Sequence, residues 1–365
     1  MTLNTDTESV VATRYSAAAE AVEPSLCCPI DYDARFLEAI PQEVIDRDYG
    51  CGDPSKYVCQ GETVLDLGSG GGKICFIASQ VVGPLGRVIG VDMNDKMLAL
   101  ARNSQPIVAE KIGHDNVQFF KGRIQDMAID RDIVDAFLRD NPVANEQSLR
   151  EFESFLAKMR KETPMIADHS VDVVVSNCVL NLVDAAEKEK LFQEIFRVLR
   201  VGGRAVISDI VSDQPVPSHM QQDPELWSGC ISGAFRDTDF LKAFEEVGFY
   251  GVEMVLLQQE PWQVVEGIEF RSATVIAYKT DAEVEEDQED QMVIYRGPFS
   301  GVRDEFGQEF WRGEPAMVGK AAFKRIDEGP YRDQFIRIDA NGIKRLSRPG
   351  SLPIADSCCS SGECC

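Results

Sequence analysis

Residues 63–72 read Thr-Val-Leu-Asp-Leu-Gly-Ser-Gly-Gly-Gly. A strand-length apolar run ends in a turn built from Gly68, Gly70, Gly71 and Gly72, and a helical period follows. Glycines at such a turn let the backbone bend sharply and approach a ligand closely. The pattern then repeats: apolar runs of strand length recur at 63–67, 87–91, 117–120, 171–175 and 205–209. Most of the intervals carry a helical period, as in Leu191, Ile195, Val198 and Leu199, with Gly202-Gly203 as the expected helix stop. Continuous Val runs such as 171–175 suit strands buried on both faces of a parallel sheet. Strands alternating with helices predict an open α/β sheet.

Other segments depart from that alternation. Residues 1–25 are polar and alanine-rich, with a short helix expected over 13–22. Residues 26–60 hold the Cys27-Cys28 pair and three prolines and read as an irregular, partly helical cap. The excursion 129–163 is too long for a structureless loop in a compact domain. It reads as an inserted helical unit anchored by Phe137, Phe152, Phe155 and Leu156. Runs at 252–257 and 270–278, with no helix between them, predict an antiparallel pair at the sheet edge. The acidic stretch 281–291 reads as a linker. Residues 292–350 read as a small β-rich domain, and 351–365 as a tail ending in Cys358, Cys359, Cys364 and Cys365.

Charge and cysteine content restrict the function. A formal net charge of −24 opposes binding to nucleic acid or to an anionic membrane surface. No run is long and apolar enough for a membrane span, and the N-terminus has no basic region followed by an apolar run, so a cytoplasmic protein is expected. A monomer is the default expectation. Eleven cysteines in such a compartment argue for metal, metalloid or redox chemistry rather than a disulfide framework.

Asp66 precedes the glycine turn, and the second predicted strand ends at Asp92-Met93. A carboxylate there is placed to take both hydroxyls of a ribose. The acid on the first strand, with Gly68 and Gly70, resembles the first motif of class I S-adenosylmethionine methyltransferases. That resemblance implies that Asp66 and the glycines hold the amino acid end of the cofactor and Asp92 its ribose, with Met93 beside it. In Gly122-Arg123-Ile124-Gln125-Asp126, it places Ile124 on the adenine and Gln125 at its edge. An ordinary core role for Ile124 is the competing reading, since buried isoleucine is common.

A more specific resemblance comes from the cysteines. Tyr-Gly-Cys-Gly (49–52), Ser-Asn-Cys-Val-Leu-Asn-Leu-Val (176–183), Ser-Asp-Ile (208–210) and Gly-Cys-Ile-Ser-Gly-Ala (229–234) follow one another around the cofactor motifs. In this order they strongly resemble arsenite S-adenosylmethionine methyltransferases over about residues 26–280. The resemblance implies a class I methyltransferase, Rossmann-like α/β sheet with antiparallel edge strands. It implies that Cys51, Cys178 and Cys230 bind trivalent arsenic, that Asn177 lies at the cofactor, and that Cys28, or its neighbour Cys27, is a redox thiol. Arsenite or its thiol conjugates would be the substrate, and glutathione or thioredoxin the electron source. The chemistry is self-consistent. A soft, pyramidal centre suits three thiolates. Its lone pair carries no proton, so the scarcity of histidine (His114, His169 and His219) is no obstacle. Cys28 would return two electrons by forming a disulfide with Cys51.

Taken singly, each thiol has a plainer reading. A buried cysteine at a strand end is ordinarily a small hydrophobe, and Cys75 is expected in the core. Two other functions compete: methylation of a small carbon or oxygen nucleophile, and sequestration of a soft metal by a fold without catalysis.

Overall fold

The computed structural model describes residues 7–26, 30–280, 291–338 and 344–346. Cys27, Cys28, most of the acidic stretch and the four terminal cysteines lie outside the described residues.

The central sheet follows the expected alternation. Its parallel part is β1 (Thr63–Leu67), β2 (Arg87–Asp92), β3 (Val117–Lys121), β4 (Val171–Asn177) and β5 (Leu199–Ser212). Two long strands, β6 (Phe249–Leu257) and β7 (Ile268–Lys279), complete it. The order is β3-β2-β1-β4-β5-β7-β6, with β7 antiparallel to both β5 and β6. Two short strands, 235–236 and 263–265, extend it. Chain order reverses between β1 and β4, which opens a crevice at their carboxyl ends, the usual ligand position in such sheets. Val173, Val174 and Val175 are all fully buried, as a strand covered on both faces requires.

Helices α1 (Thr7–Ala18), α2 (Lys73–Val82) and α3 (Asp95–Ile112) matter most for the crevice. Gly72 starts α2 at φ 90°, and a Cβ there would come within 2.8 Å of the Phe119 ring, so this position needs glycine. Asn94 caps α3 by accepting the backbone N–H groups of Lys96 and Met97. The N-terminal helix begins and ends earlier than the expected 13–22, its first turns held by Arg123, in the loop after β3, through Glu8 and by Asn94, the cap of α3, through the Ala12 carbonyl.

One expectation fails at the fifth strand. Helix α4 (Lys188–Val198) runs directly into β5, with the Leu199 N–H closing its last turn on Ile195. Gly202-Gly203 therefore do not stop the helix. They lie inside β5, where the register with β4 shifts between the Val171 and Val173 pairings and Gly202 takes φ 79°. The glycines absorb a bulge.

The excursion 129–163 is helical, with helices at Arg131–Asp140 and Glu146–Glu162. Phe137 stacks on Phe155 at 4.0 Å over a small core of Ile129, Val134 and Met159. Residues 291–346 include an antiparallel four-stranded sheet and a helix, Lys320–Glu328, around Val293, Tyr295, Phe310 and Phe335. This unit docks where the Gly251 N–H donates to Glu305 (2.7 Å) and to the Tyr331 hydroxyl (3.0 Å).

Candidate active site

A cavity of about 510 Å³ occupies the crevice. Its walls include Asp66, Gly68, Gly70, Asp92, Met93, Ile124, Gln125, Asn177 and Cys178, so all eight cofactor residues expected from the sequence border one space. None of the residues 129–163 lines it, so the inserted helices stand clear of the wall.

Two carboxylates dominate the cavity. Asp66 is 2% exposed, and burial pushes its pKa up to about 8, further raised by Asp48 and Asp92, against one stabilising hydrogen bond from the Cys75 thiol (3.2 Å). Burial also raises Asp92, opposed by backbone N–H groups of Asn94 (2.7 Å) and Gly70 (2.8 Å). Two such acids without a cation are costly to ionise. A ligand bearing an ammonium and vicinal hydroxyls meets what they lack. Gly70, at φ 52°, has open space where a Cβ would point, leaving the backbone accessible. The residues present fit S-adenosylmethionine. Ile124 is both core and wall, so the two readings of it coexist. The Gln125 amide donates to Glu187 (2.7 Å), which borders the same space.

Asn177 borders the cavity and has a second task. Its side-chain oxygen accepts the N–H of Cys51 (2.8 Å) and of Gly52 (2.9 Å), while its nitrogen donates to the Gly52 carbonyl (2.8 Å) and the Tyr32 hydroxyl (3.2 Å). The amide touches the cavity but is engaged in fastening the Cys51 turn to the end of β4. A Cβ on Gly50 would lie 2.0 Å from the same amide, so the turn fits tightly.

The three motif cysteines, each 5% exposed, fall in one apolar cluster with Ile210, Met220 and Phe270. Cys51 and Cys178 are joined by a disulfide, their Cα atoms 5.7 Å apart. The Asn177 clamp lays the Cys51 turn over the residue next to it, Cys178; Cys28, the expected redox partner of Cys51, lies outside the described residues. The Cys230 thiol donates to the Cys178 carbonyl at 3.3 Å and meets the Tyr15 hydroxyl at 3.9 Å. The set therefore sits at the cavity edge where Cys178 is exposed to it.

Sequence reasoning gave several neighbours no role, although Asp209 lies in the Ser-Asp-Ile motif. A carboxylate oxygen of Asp209 lies within 4.8 Å of the Cys51 and Cys178 sulfurs. Burial raises its pKa, while backbone N–H groups and Lys188 hold it down. Helix α1 covers the cavity: Glu8 pairs with Arg123 (2.8 Å), Asn94 donates to the Ala12 carbonyl (3.1 Å), and Arg14 donates to Ser228 (3.0 Å), two residues before Cys230. Tyr15 on this helix touches both the cavity and the third thiol. Nothing in its local sequence distinguishes it from any surface helix.

A family described as a methyltransferase domain matches residues 59–162 and 143–248, and a domain of unknown function matches 282–352. An arsenite methyltransferase of Aquipseudomonas alcaligenes is 32% identical over 78% of this chain and 75% of its own length. One from Mus musculus is 29% identical over 84% of this chain and 74% of its own. One from Halobacterium salinarum is 37% identical over 62% of this chain, which spans about half (47%) of that relative. The crystal structure of an arsenic(III) S-adenosylmethionine methyltransferase from Chlamydomonas reinhardtii has the same fold, with TM-score 0.58 and 24% identity over 90% of this chain and 100% of that one. Sequence, fold and relatives agree: this chain belongs to the arsenite methyltransferase family.

Proposed function

We propose that the protein methylates trivalent arsenic held by the thiolates of Cys51, Cys178 and Cys230. One observation carries the reading: these three buried cysteines, far apart in sequence, gather at the edge of a cavity whose opposite walls fit S-adenosylmethionine. When bound, S-adenosylmethionine supplies an electrophilic methyl group on its sulfonium and is left as a neutral thioether.

The chain's own residues account for the rest. Three thiols displace the three hydroxyls of arsenite and release three waters. The arsenic lone pair then forms the new bond to carbon. It carries no proton, so no general base is needed; among the described residues no histidine lines the cavity. The apolar cluster around the sulfurs excludes water, and positioning supplies the remaining rate.

Bond formation leaves arsenic formally pentavalent. Two thiolate sulfurs leaving together as a disulfide return two electrons and restore the trivalent state. The Cys51–Cys178 disulfide supports such a role for this pair. Glutathione or thioredoxin reopens it by thiol exchange, with Cys28 or Cys27 as the relay thiol. A carbon or oxygen acceptor is not favoured, since the relatives matched over most of this chain are arsenite methyltransferases, whereas quinone-biosynthesis C-methyltransferases match only 40% of it at 25–26% identity.

The test is turnover with arsenite, S-adenosylmethionine and glutathione, arsenic species being separated by chromatography with mass detection. Methylated arsenic from the wild type and none from Cys178→Ser is expected. Cofactor binding without any methylated arsenic would overturn the reading.

A further inference from the structure

Helix α1 covers the cofactor cavity, and two consecutive residues on it reach the segment that carries the third thiol. Arg14 donates to the Glu225 carbonyl and to the Ser228 hydroxyl, both at 3.0 Å, in the short helix Pro224–Ser228 that leads into Cys230. Tyr15 lines the cavity, and its hydroxyl stands 3.9 Å from the Cys230 sulfur. Its ring meets the Tyr49 ring edge-on, with centroids 6.1 Å apart and planes at 81°. Tyr49 donates its own hydroxyl to the Ala18 carbonyl (2.9 Å), at the end of α1, and precedes Cys51 by two residues. One aromatic side chain therefore borders the cofactor space, packs on the motif of the first thiol and faces the third.

The backbone of Cys230 is fixed, which leaves the direction of its sulfur to be set. Its φ is 63°, in the left-handed region, and its carbonyl accepts the Asn181 amide at 3.4 Å. A residue with a Cβ keeps such a conformation only where its surroundings over-determine it. The sulfur meets two polar groups of opposite kind. As a thiol it donates to the Cys178 carbonyl (3.3 Å). As a thiolate it has no proton to donate, and that carbonyl repels it. The Tyr15 hydroxyl is able to donate instead, and hydrogen bonds to charged acceptors are the stronger kind. Burial and then Cys230 itself raise the pKa of Tyr15, with Arg14 opposing, so this hydroxyl keeps its proton. A long contact of this sort in a ligand-free site commonly tightens in the working complex.

We propose that Tyr15 is a positioning residue for the reaction, whose hydroxyl turns the Cys230 sulfur from the Cys178 carbonyl toward the cofactor cavity once that sulfur has bound arsenic. This rests on the proposed arsenic site. A sulfur held at the cavity wall keeps arsenic beside the space that fits the cofactor. Misplacement of a reacting centre by a fraction of an ångström is felt in rate before it is felt in affinity. Phenylalanine at this position keeps the ring, and with it the wall and the packing on Tyr49, and removes the hydroxyl alone.

Tyr15→Phe is compared with the wild type, both full-length. Three quantities are read: kcat and KM for arsenite with glutathione as reductant, cofactor affinity by calorimetry, and the near-ultraviolet tyrosine difference spectrum when arsenite is added to phosphine-reduced protein. The wild type is expected to give a tyrosine signal on arsenite binding, and Tyr15→Phe to lose it. The variant's kcat should fall about tenfold, with KM and cofactor affinity held within about twofold. A wild-type kcat in Tyr15→Phe, a loss carried by KM instead, or a tyrosine signal that survives the substitution would each overturn the assignment. Weakened cofactor binding in the variant would overturn it in favour of a packing role. A wild type that makes no methylated arsenic would sink the functional reading itself, and the arsenite-induced tyrosine signal would still report on Tyr15 separately.

Discussion

The side-chain oxygen of Asn177 accepts the Cys51 backbone N–H at 2.8 Å, so the strand that leads into Cys178 also carries the first thiol. The Cys51 carbonyl is taken by the Ser272 hydroxyl (2.6 Å) on β7, and the Cys178 N–H by the Ser208 carbonyl (2.8 Å) on β5. A proline-rich segment is thereby set against the buried centre of the sheet.

Asn177→Ala removes this fastening and takes away the acceptor of the Cys51 and Gly52 backbone N–H groups. A loss of about 1–3 kcal/mol of stability is expected, read from urea unfolding. Arsenite methylation should fall further than cofactor affinity, because the substitution acts on the thiol side of the cavity.

The state of Asp66 predicts a proton signal. Its pKa of about 8 in the cofactor-free fold lies above the ordinary 3.8, so the folded protein holds this proton between those values while the unfolded chain releases it. Stability contributed by the neutral form is full below about pH 4 and declines as pH rises through 8. Asp66→Asn should flatten that decline. An ammonium placed beside Asp66 favours its ionised form, so cofactor binding at pH 7 should release up to one proton. Calorimetry in two buffers of different ionisation enthalpy would show it, and equal enthalpies would refute it.

Gly68 takes φ 66°, and a Cβ there would lie 2.4 Å from the Val179 side chain, next to Cys178. Gly68→Ala should therefore injure both halves of the site. Cofactor affinity is expected to fall at least about tenfold, with about 1 kcal/mol or more of stability lost to backbone strain. Calorimetry and thermal unfolding together check both figures.

The cofactor cavity is lined entirely by residues between Glu8 and Glu187. A chain ending after Thr280 should bind S-adenosylmethionine with affinity unchanged within a factor of about two, provided its unfolding remains cooperative. A larger change would show that the docking of Glu305 and Tyr331 on Gly251 reaches the cavity.

The sequence by itself determined the sheet and the cofactor walls. Strand-length Val and Ile runs, helical periods and the Gly68–Gly72 turn are local patterns, and local backbone sterics and burial suffice to read them. Where two local signals competed, as at Gly202-Gly203, glycine's freedom served a strand bulge as well as a helix stop, and only the pairing of β4 with β5 decided. The thiol site belongs to the tertiary structure. Cys51, Cys178 and Cys230 meet because Asn177, Asn181 and Asp209 spend their hydrogen bonds across elements distant in sequence, and no window of sequence contains both ends of such a bond. For the same reason Tyr15, on a polar N-terminal helix, emerges as a neighbour of the third thiol only once the chain has closed over its own cavity.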